Sequence, residues 1–198
     1  MGRKNRSDSK RTEIIKHVYD VIAESGIEGA TLSRIADHMG IHKSLLTYYF
    51  HTKEEMIIAL VDFITETYES LFLDKITHTS DPRQRLEAGL DIVFSRQWDK
   101  VINARVFYSC FYLTLMNETI RRRFHGMYDR FKDVLKAELT TCRDQGIIDI
   151  EDPEQSAVFI VSLSEGYDCY WIITGNDKDA DRYGRHCKEQ VKTLFRMK

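Results

Sequence analysis

The stretch "TLSRIADHMGIHKSLLTYYFHTKEE", residues 31–55, decides how this chain folds. Thr31 is a helix N-cap ahead of "LSRIADHM", where Leu32, Ile35, Ala36 and Met39 fall at i, i+3, i+4 and i+7 on one helical face. Gly40 ends that helix, because only glycine enters a left-handed turn without a Cβ penalty. "TKEE", Thr52 to Glu55, is a capping box: Thr52 accepts from the amide near residue 55, and Glu55 reaches back to residue 52. A third helix is therefore confined to about His42–Phe50, two to three turns. Helix, glycine turn and short second helix make a helix-turn-helix plan, with Ala36 small where the two helices approach.

At about 100° per residue the short helix has two unlike faces. Leu45, Leu46 and Tyr49, with Ile41 and Phe50, are expected to face back onto the preceding helices, while His42, Lys43, Ser44, Thr47 and Tyr48 project outward. A DNA major groove about 12 Å wide admits one such helix, whose early residues meet base edges. Lys43 can donate to a guanine edge or to phosphate, and Thr47 offers a hydroxyl and a methyl group. Tyr48 and Tyr49 can give hydroxyls to phosphate, and Lys53, in the first turn of the next helix, can donate to the backbone. Free amides at the N-termini of the second and fourth helices add phosphate ligands. The residues alone fit two readings, a DNA-reading head or a small core with an ordinary surface.

Working outward, an upstream helix is expected from about Ser9 to Ser25, capped by Asp8 or Ser9, with Ile14, Ile15, Val18, Val21 and Ile22 on one face and Gly26 at its end. Downstream, the capping box starts a long helix through "MIIALVDFITETYESLF". The only two prolines follow aspartates, at Asp81-Pro82 and Asp152-Pro153, and each pair is a helix start. Further helices are expected over 82–98, 101–116, 118–145, 153–174 and from 179 to the end. No stretch alternates apolar and polar residues long enough for a sheet. The expectation is an all-α chain of about nine helices: residues 1–53 a three-helix helix-turn-helix domain, residues 54–198 a helical effector-binding and dimerisation domain.

The charge is uneven. Residues 1–53 carry nine Lys/Arg against six Asp/Glu, a balance of +3, and four of the seven histidines; the other 145 residues carry 20 basic and 25 acidic groups, or −5. A basic front on an acidic body is expected where one part meets phosphate and the rest avoids it. No run of about 18 uncharged apolar residues could span a membrane, and the opening "MGRKNRSDSKRTE" lacks the apolar core of a secretory leader. A cytoplasmic location is expected. Cys110, Cys142, Cys169 and Cys187 form no CxxC pair and read as reduced, mostly buried thiols. Enzyme chemistry has no foothold: there is no nucleophile-base spacing, Gly-rich phosphate loop or HExxH motif. Neither a cofactor nor a metal is expected, because His17, His38, His42 and His51 show no ligand spacing in the sequence.

Residues 26–60, "GIEGATLSRIADHMGIHKSLLTYYFHTKEEMIIAL", resemble the N-terminal domain of the TetR family of transcriptional regulators. The match lies in the Thr lead-in, the "IA…G" second helix, the "KSxLxxYF" helix and the "KEE" start of the fourth helix. "QGIIDIEDPEQSAVFIVSLSEGYDCYW" resembles the family's approach to its dimerisation helices. The resemblance implies a homodimer that binds double-stranded operator DNA, usually as a repressor, with a small-molecule effector held in the C-terminal domain. It places Thr31, Ser33, Lys43, Ser44, Leu45, Thr47, Tyr48, Tyr49 and Lys53 at DNA-facing positions. His42 stands where the family often has a serine cap, and Thr47 where an aromatic residue is common. In such an architecture the middle helices enclose the effector, which makes Trp98, Phe107, Tyr108, Phe111, Tyr112, Tyr128, Tyr167 and Trp171 candidates to line a pocket for a flat or apolar molecule. The last two helices, with Ser162, Ser164 and Gly166 allowing close approach, are the expected dimer interface. An activator, or a helix-turn-helix interaction module without an effector, also fits the sequence.

Overall fold

The computed structural model describes residues 3–76, 79–175 and 177–198, with side chains omitted at 3–7, 177 and 178. Among the described residues the chain is all-helical: α1 (Arg3–Gly29), α2 (Leu32–Met39), α3 (Lys43–Tyr49), α4 (Lys53–Ile76), α5 (Pro82–Val93), α6 (Ala104–Tyr112), α7 (Glu118–Asp144), α8 (Pro153–Thr174) and α9 (Asp177–Leu194). Short 3₁₀ turns at Trp98–Lys100 and Leu113–Leu115 flank α6. Residues 1–67 and 102–125 form one compact unit, and residues 68–101 and 126–198 a second. The sequence boundary at 53/54 falls at the start of α4, whereas the compact units divide within α4 and within α7.

Local signals set most helix ends. Asp81 accepts from the Arg83 amide and Asp152 from the amides of Glu154 and Gln155, with proline at the first helical position in both cases. Three expectations need correction. α1 starts at Arg3, not near Ser9, so neither Asp8 nor Ser9 caps it; Gly26 does take a positive φ of 71°, but a further turn carries the helix to Gly29. α5 stops at Val93, not Trp98. The expected helix over 101–116 begins only at Ala104, because Asn103 turns extended and its side chain accepts from the Arg105 amide.

In the first unit, the expected apolar face of α1 (Ile14, Ile15, Val18, Val21, Ile22) is buried, as are Ile35, Ala36, Leu46, Phe50, Met56, Leu60 and Ile64 from α2 to α4. α6 packs on α1, and its buried residues are Val106, Phe107 and Cys110. Tyr19 Oη accepts from the Asn103 amide at 2.6 Å, and Arg105 donates to the Ala23 carbonyl at 3.3 Å. These bonds link positions more than eighty residues apart, which no local pattern announces.

In the second unit, Leu86, Leu90, Leu135, Leu139, Ala157 and Ile160 share a core with Trp98, Tyr167 and Phe195. Trp98 stacks on Tyr68 with ring centroids 4.6 Å apart. The buried Tyr167 hydroxyl donates to the Ala180 carbonyl at 3.0 Å, tying α8 to α9; burial, with Asp168 and Asp181 adding to it, pushes this phenol up to about 12. α9 also crosses the end of α5 closely: a Cβ on Gly184 would lie 2.1 Å from the Phe94 carbonyl oxygen and 3.0 Å from the Tyr167 hydroxyl. Gly184→Ala is therefore expected to cost about 1–3 kcal/mol, as overpacking against backbone does. Urea unfolding of the variant beside wild type reads this directly, and an unchanged midpoint would remove the close crossing.

Candidate nucleic-acid interface

A seven-residue helix is too short to hold itself, so α3 depends on what it is packed against. Its entry is fixed by Gly40 (φ 64°, ψ 32°). The Gly40 amide donates to Asp37 and the Ile41 amide to Ala36, at 3.1 and 3.0 Å, the pattern that closes a helix through a left-handed residue. Two side chains anchor α3 inward, Leu46 and Phe50, both fully buried. Its exit is held by Arg11 of α1. That guanidinium lies 4.0 Å over the Phe50 ring, donates to the Tyr49 carbonyl and pairs with Glu55 at 3.3 Å. Arg11 thus joins α1, the end of α3 and the start of α4.

Glu55 completes the α4 start in a way that differs from the expectation. Its amide donates to Thr52 Oγ1 at 3.0 Å, as a capping box requires, but its carboxylate accepts from the His51 amide at 2.9 Å, one residue earlier than expected. The His51 hydrogen bond, and then Arg11, hold the Glu55 carboxyl below its ordinary range against the opposing effect of burial.

The DNA-facing candidates fall into three groups. His42, Lys43, Ser44 and Tyr48 are exposed along one side of α3, and Tyr48 stands 69% exposed, edge-on to the half-buried Tyr49. Thr31 and Ser33 are exposed in the first turn of α2, where Thr31 also accepts from the Arg34 amide at 3.2 Å. Thr47 and Lys53 are half-buried and already engaged: the Thr47 hydroxyl donates to the Ser44 carbonyl at 3.0 Å, and Lys53 Nζ to the Ile27 carbonyl at 2.6 Å. His42 caps α3 through its backbone only. Leu45, expected to face back, is 41% exposed, because Leu46 and Phe50 alone fill the small inward face. Sequence reasoning missed Arg34, exposed in the first turn of α2, and Arg11, whose partners lie 38 to 44 positions away.

The pocket candidates divide between the two units. In the first, Phe107 lies against Tyr108, Phe111 and Phe124, with ring centroids 5.1, 6.0 and 5.5 Å away, while Tyr112 is exposed. In the second, Trp98 and Tyr167 belong to the core, Tyr128 donates to Glu165 at 2.8 Å, and Arg96 lies 3.9 Å over the Trp171 ring. Three surface clefts, of about 370, 340 and 170 Å³, are lined by other residues, among them Asp149 and Phe195, Arg11 and Phe63, and Phe72 and Arg130. Of the cysteines, Cys110 and Cys142 are buried, Cys187 half-buried and Cys169 exposed.

An exposed turn glycine that joins two helices over a small buried core, with a short helix whose polar side faces solvent, is the form of a helix-turn-helix head. Residues 14–60 match the family model described as bacterial regulatory proteins of the tetR family, and residues 81–197 match the tetracyclin repressor-like C-terminal domain. The chain belongs to the TetR family, and it is a DNA-binding transcription regulator, not an enzyme. It is 23% identical over 183 residues to the HTH-type transcriptional activator FasR of Mycolicibacterium smegmatis, covering 91% of this chain and 80% of that protein. It is 22% identical to the HTH-type transcriptional regulator TtgR of Pseudomonas putida, covering 89% and 86%. Among solved structures, a TetR regulator from Haloarcula marismortui superposes with a TM-score of 0.82 at 21% identity, covering 95% of this chain and 98% of that one. A regulator from Saccharomonospora viridis in complex with choline gives 0.80 at 17% identity, covering 96% of each chain. Among the described residues no helix is long and apolar enough to cross a membrane.

Gly40→Ala is expected to destabilise the first unit by about 1–2 kcal/mol, the cost of a Cβ in the left-handed region, even though no atom would clash with it. Thermal unfolding measures it. A variant as stable as wild type would show that the joint does not require φ near 64°.

Proposed function

We propose that this chain is a homodimeric, cytoplasmic regulator that reads a palindromic operator with α3 and represses the genes beside it until a small ligand binds. The observation that carries the DNA part is the division of α3: Leu46 and Phe50 are fully buried while His42, Lys43, Ser44 and Tyr48 stand in solvent. Lys43 and Tyr48 take base edges and neighbouring phosphates. Thr31, Ser33, Thr47, Tyr49 and Lys53 position the head, Lys53 through one of its three donors while another holds Ile27. Leu45 gives an apolar contact suited to a thymine methyl group.

The dimer part rests on α8 and α9, which expose Val158, Phe159, Ile172, Ile173, Tyr183 and Leu194. A two-fold interface that covers these groups gives two reading heads for two half-sites. Relatives carry both signs of regulation in their names: FasR is an activator, and KstR2 of Mycobacterium tuberculosis, 30% identical over 80 residues, is a repressor. Activation is the alternative.

The effector is an apolar or aromatic molecule, and the second unit adds a preference for a cationic group. Trp171 Nε1 is buried without a hydrogen-bond partner among the described residues. Nearby on α8, burial, with Glu165 and Asp99 adding to it, pushes the Asp168 carboxyl up to about 8. Burial likewise raises Glu165, against the hydrogen bond from Tyr128. Carboxyls whose ionised form is short of water become better partners once a cation arrives.

Fluorescence anisotropy on the DNA flanking its own gene, against scrambled DNA across a salt series, tests the DNA reading. Lys43→Ala and Tyr48→Ala are each expected to weaken specific binding by about tenfold, the effect of losing one to two kcal/mol of base or phosphate contact. Wild-type affinity in both variants would remove α3 from the interface. Lys53→Ala is expected to weaken binding to all DNA and to flatten the salt slope by about one.

Asp168→Asn tests the acidic site. Its acid form is held more tightly in the folded chain than in the unfolded one, where it titrates near 3.8, so wild-type stability declines as pH rises from there toward about 8. The variant's Tm should exceed wild type by a margin that grows over that window and levels off above it. Parallel Tm–pH curves would show that Asp168 ionises normally.

A further inference from the structure

We propose that His17, Asp20 and His38 form a binding site for a divalent transition-metal ion, of the zinc, nickel or copper type, that clamps α1 to α2 beneath the reading head. His17 and Asp20 lie one helical turn apart on α1, and His38 is the penultimate residue of α2, two positions before the Gly40 turn. Folding brings the imidazoles together across 21 positions of sequence, with Nδ1 of His17 3.0 Å from Nδ1 of His38 and the rings edge-on at 5.1 Å between centroids. A carboxylate oxygen of Asp20 completes a set of three ligand atoms that all lie within 4.8 Å of one another.

Two nitrogens of the same kind, aimed at each other, need something between them. A single proton suffices when one ring donates and the other accepts. A cation placed between the two lone pairs suffices equally, and the geometry is close to what a metal needs. Metal–nitrogen bonds of about 2.0–2.1 Å at a tetrahedral angle put two ligand nitrogens about 3.3–3.4 Å apart. The observed separation of 3.0 Å therefore requires an opening of only a few tenths of an ångström. Asp20 is exposed, so its carboxylate is free to swing toward the two rings.

A second observation comes from behind the site. The other ring nitrogen of His38, Nε2, has Glu24 Oε1 4.0 Å away, so a rotation of the exposed Glu24 side chain is needed to bring the two into hydrogen-bond distance. A carboxylate behind a ligating imidazole is the usual device for fixing its tautomer and orientation, leaving the opposite nitrogen's lone pair for the metal. Two imidazoles with one carboxylate select borderline transition metals over calcium or magnesium, which prefer sets of oxygen ligands. A fourth position stays open to water.

The test uses the full-length protein, stripped of metal by chelator and dialysis, then titrated with zinc chloride by calorimetry and with cobalt chloride by visible absorption. One equivalent per chain is expected, with the intense d–d bands of low-coordinate cobalt and a rise in Tm on the order of 5 °C at a hundredfold excess over Kd. His17→Ala and His38→Ala should each weaken binding by about a hundredfold, and Asp20→Asn by about tenfold. His42→Ala with His51→Ala should leave binding unchanged, since neither residue belongs to the cluster. Circular dichroism on each variant confirms folding, which the surface position of these groups favours. Binding that survives loss of both His17 and His38, or no saturable binding below about 1 mM, overturns the proposal and leaves the two rings a hydrogen-bonded pair. Every readout is independent of DNA, so failure of the operator reading leaves this result standing.

Discussion

The burial of Leu46 and Phe50 is the constraint on which the exposed surface of α3 depends. α3 has only seven residues, fewer than any isolated helix needs to persist in water. Burying two large side chains completely contributes about 1.5–3 kcal/mol each, enough to fix both the existence and the rotation of the helix. Once that rotation is set, no residue of α3 chooses its own exposure. Lys43, Ser44 and Tyr48 are outward because Leu46 and Phe50 are inward, and Leu45 is displaced to the surface for the same reason.

Around this anchor the backbone ends are closed one by one. Gly40 closes α2 and sets the angle of entry to α3, while Arg11 covers the Phe50 ring and takes up the Tyr49 carbonyl at its exit. Thr52 and Glu55 then satisfy amides at residues 55 and 51 so that α4 can begin. The ion pair in this arrangement is partly exposed and contributes little by itself. Its value is geometric, since one guanidinium ties three helices to a common point. Lys53 acts similarly on the last turn of α1, and any contact it makes with DNA draws on a side chain that already has a structural task.

The second unit follows a different principle. Its aromatic residues mostly serve the core: Trp98 on Tyr68, Tyr167 bonded to Ala180, and Gly184 left without a side chain so that α9 can touch the Phe94 carbonyl. The groups that do not fit a plain core are Glu165, Asp168 and Trp171. Each carries a polar atom that burial penalises, and all three lie on α8 within two turns. Such groups are where a ligand or a partner has most to gain.

Much of this was legible in residues 31–55 and at the two Asp-Pro pairs, because caps, glycine turns and a 3.6-residue apolar period are local properties of the chain. They predict α2, α3 and α8 almost to the residue, and they place His42, Lys43, Ser44 and Tyr48 outward and Leu46 and Phe50 inward, though not Leu45 or Thr47. The sequence could not announce Arg11 on Phe50, Tyr19 on Asn103, the His17–His38 pair or the space that Gly184 leaves for Phe94. Each joins residues from 21 to 90 positions apart. Nor could it show that α1 begins at Arg3, that Asn103 delays α6, or that Leu45 is surplus to a face that two larger groups already fill. By itself, then, the sequence determined the helical class, the helix-turn-helix order and the polar content of α3, since these arise from hydrogen bonds and periodicities within a few residues. Only the tertiary structure decided which inward side chains win the limited buried volume and which distant groups meet, because those outcomes depend on packing between helices that share no local signal.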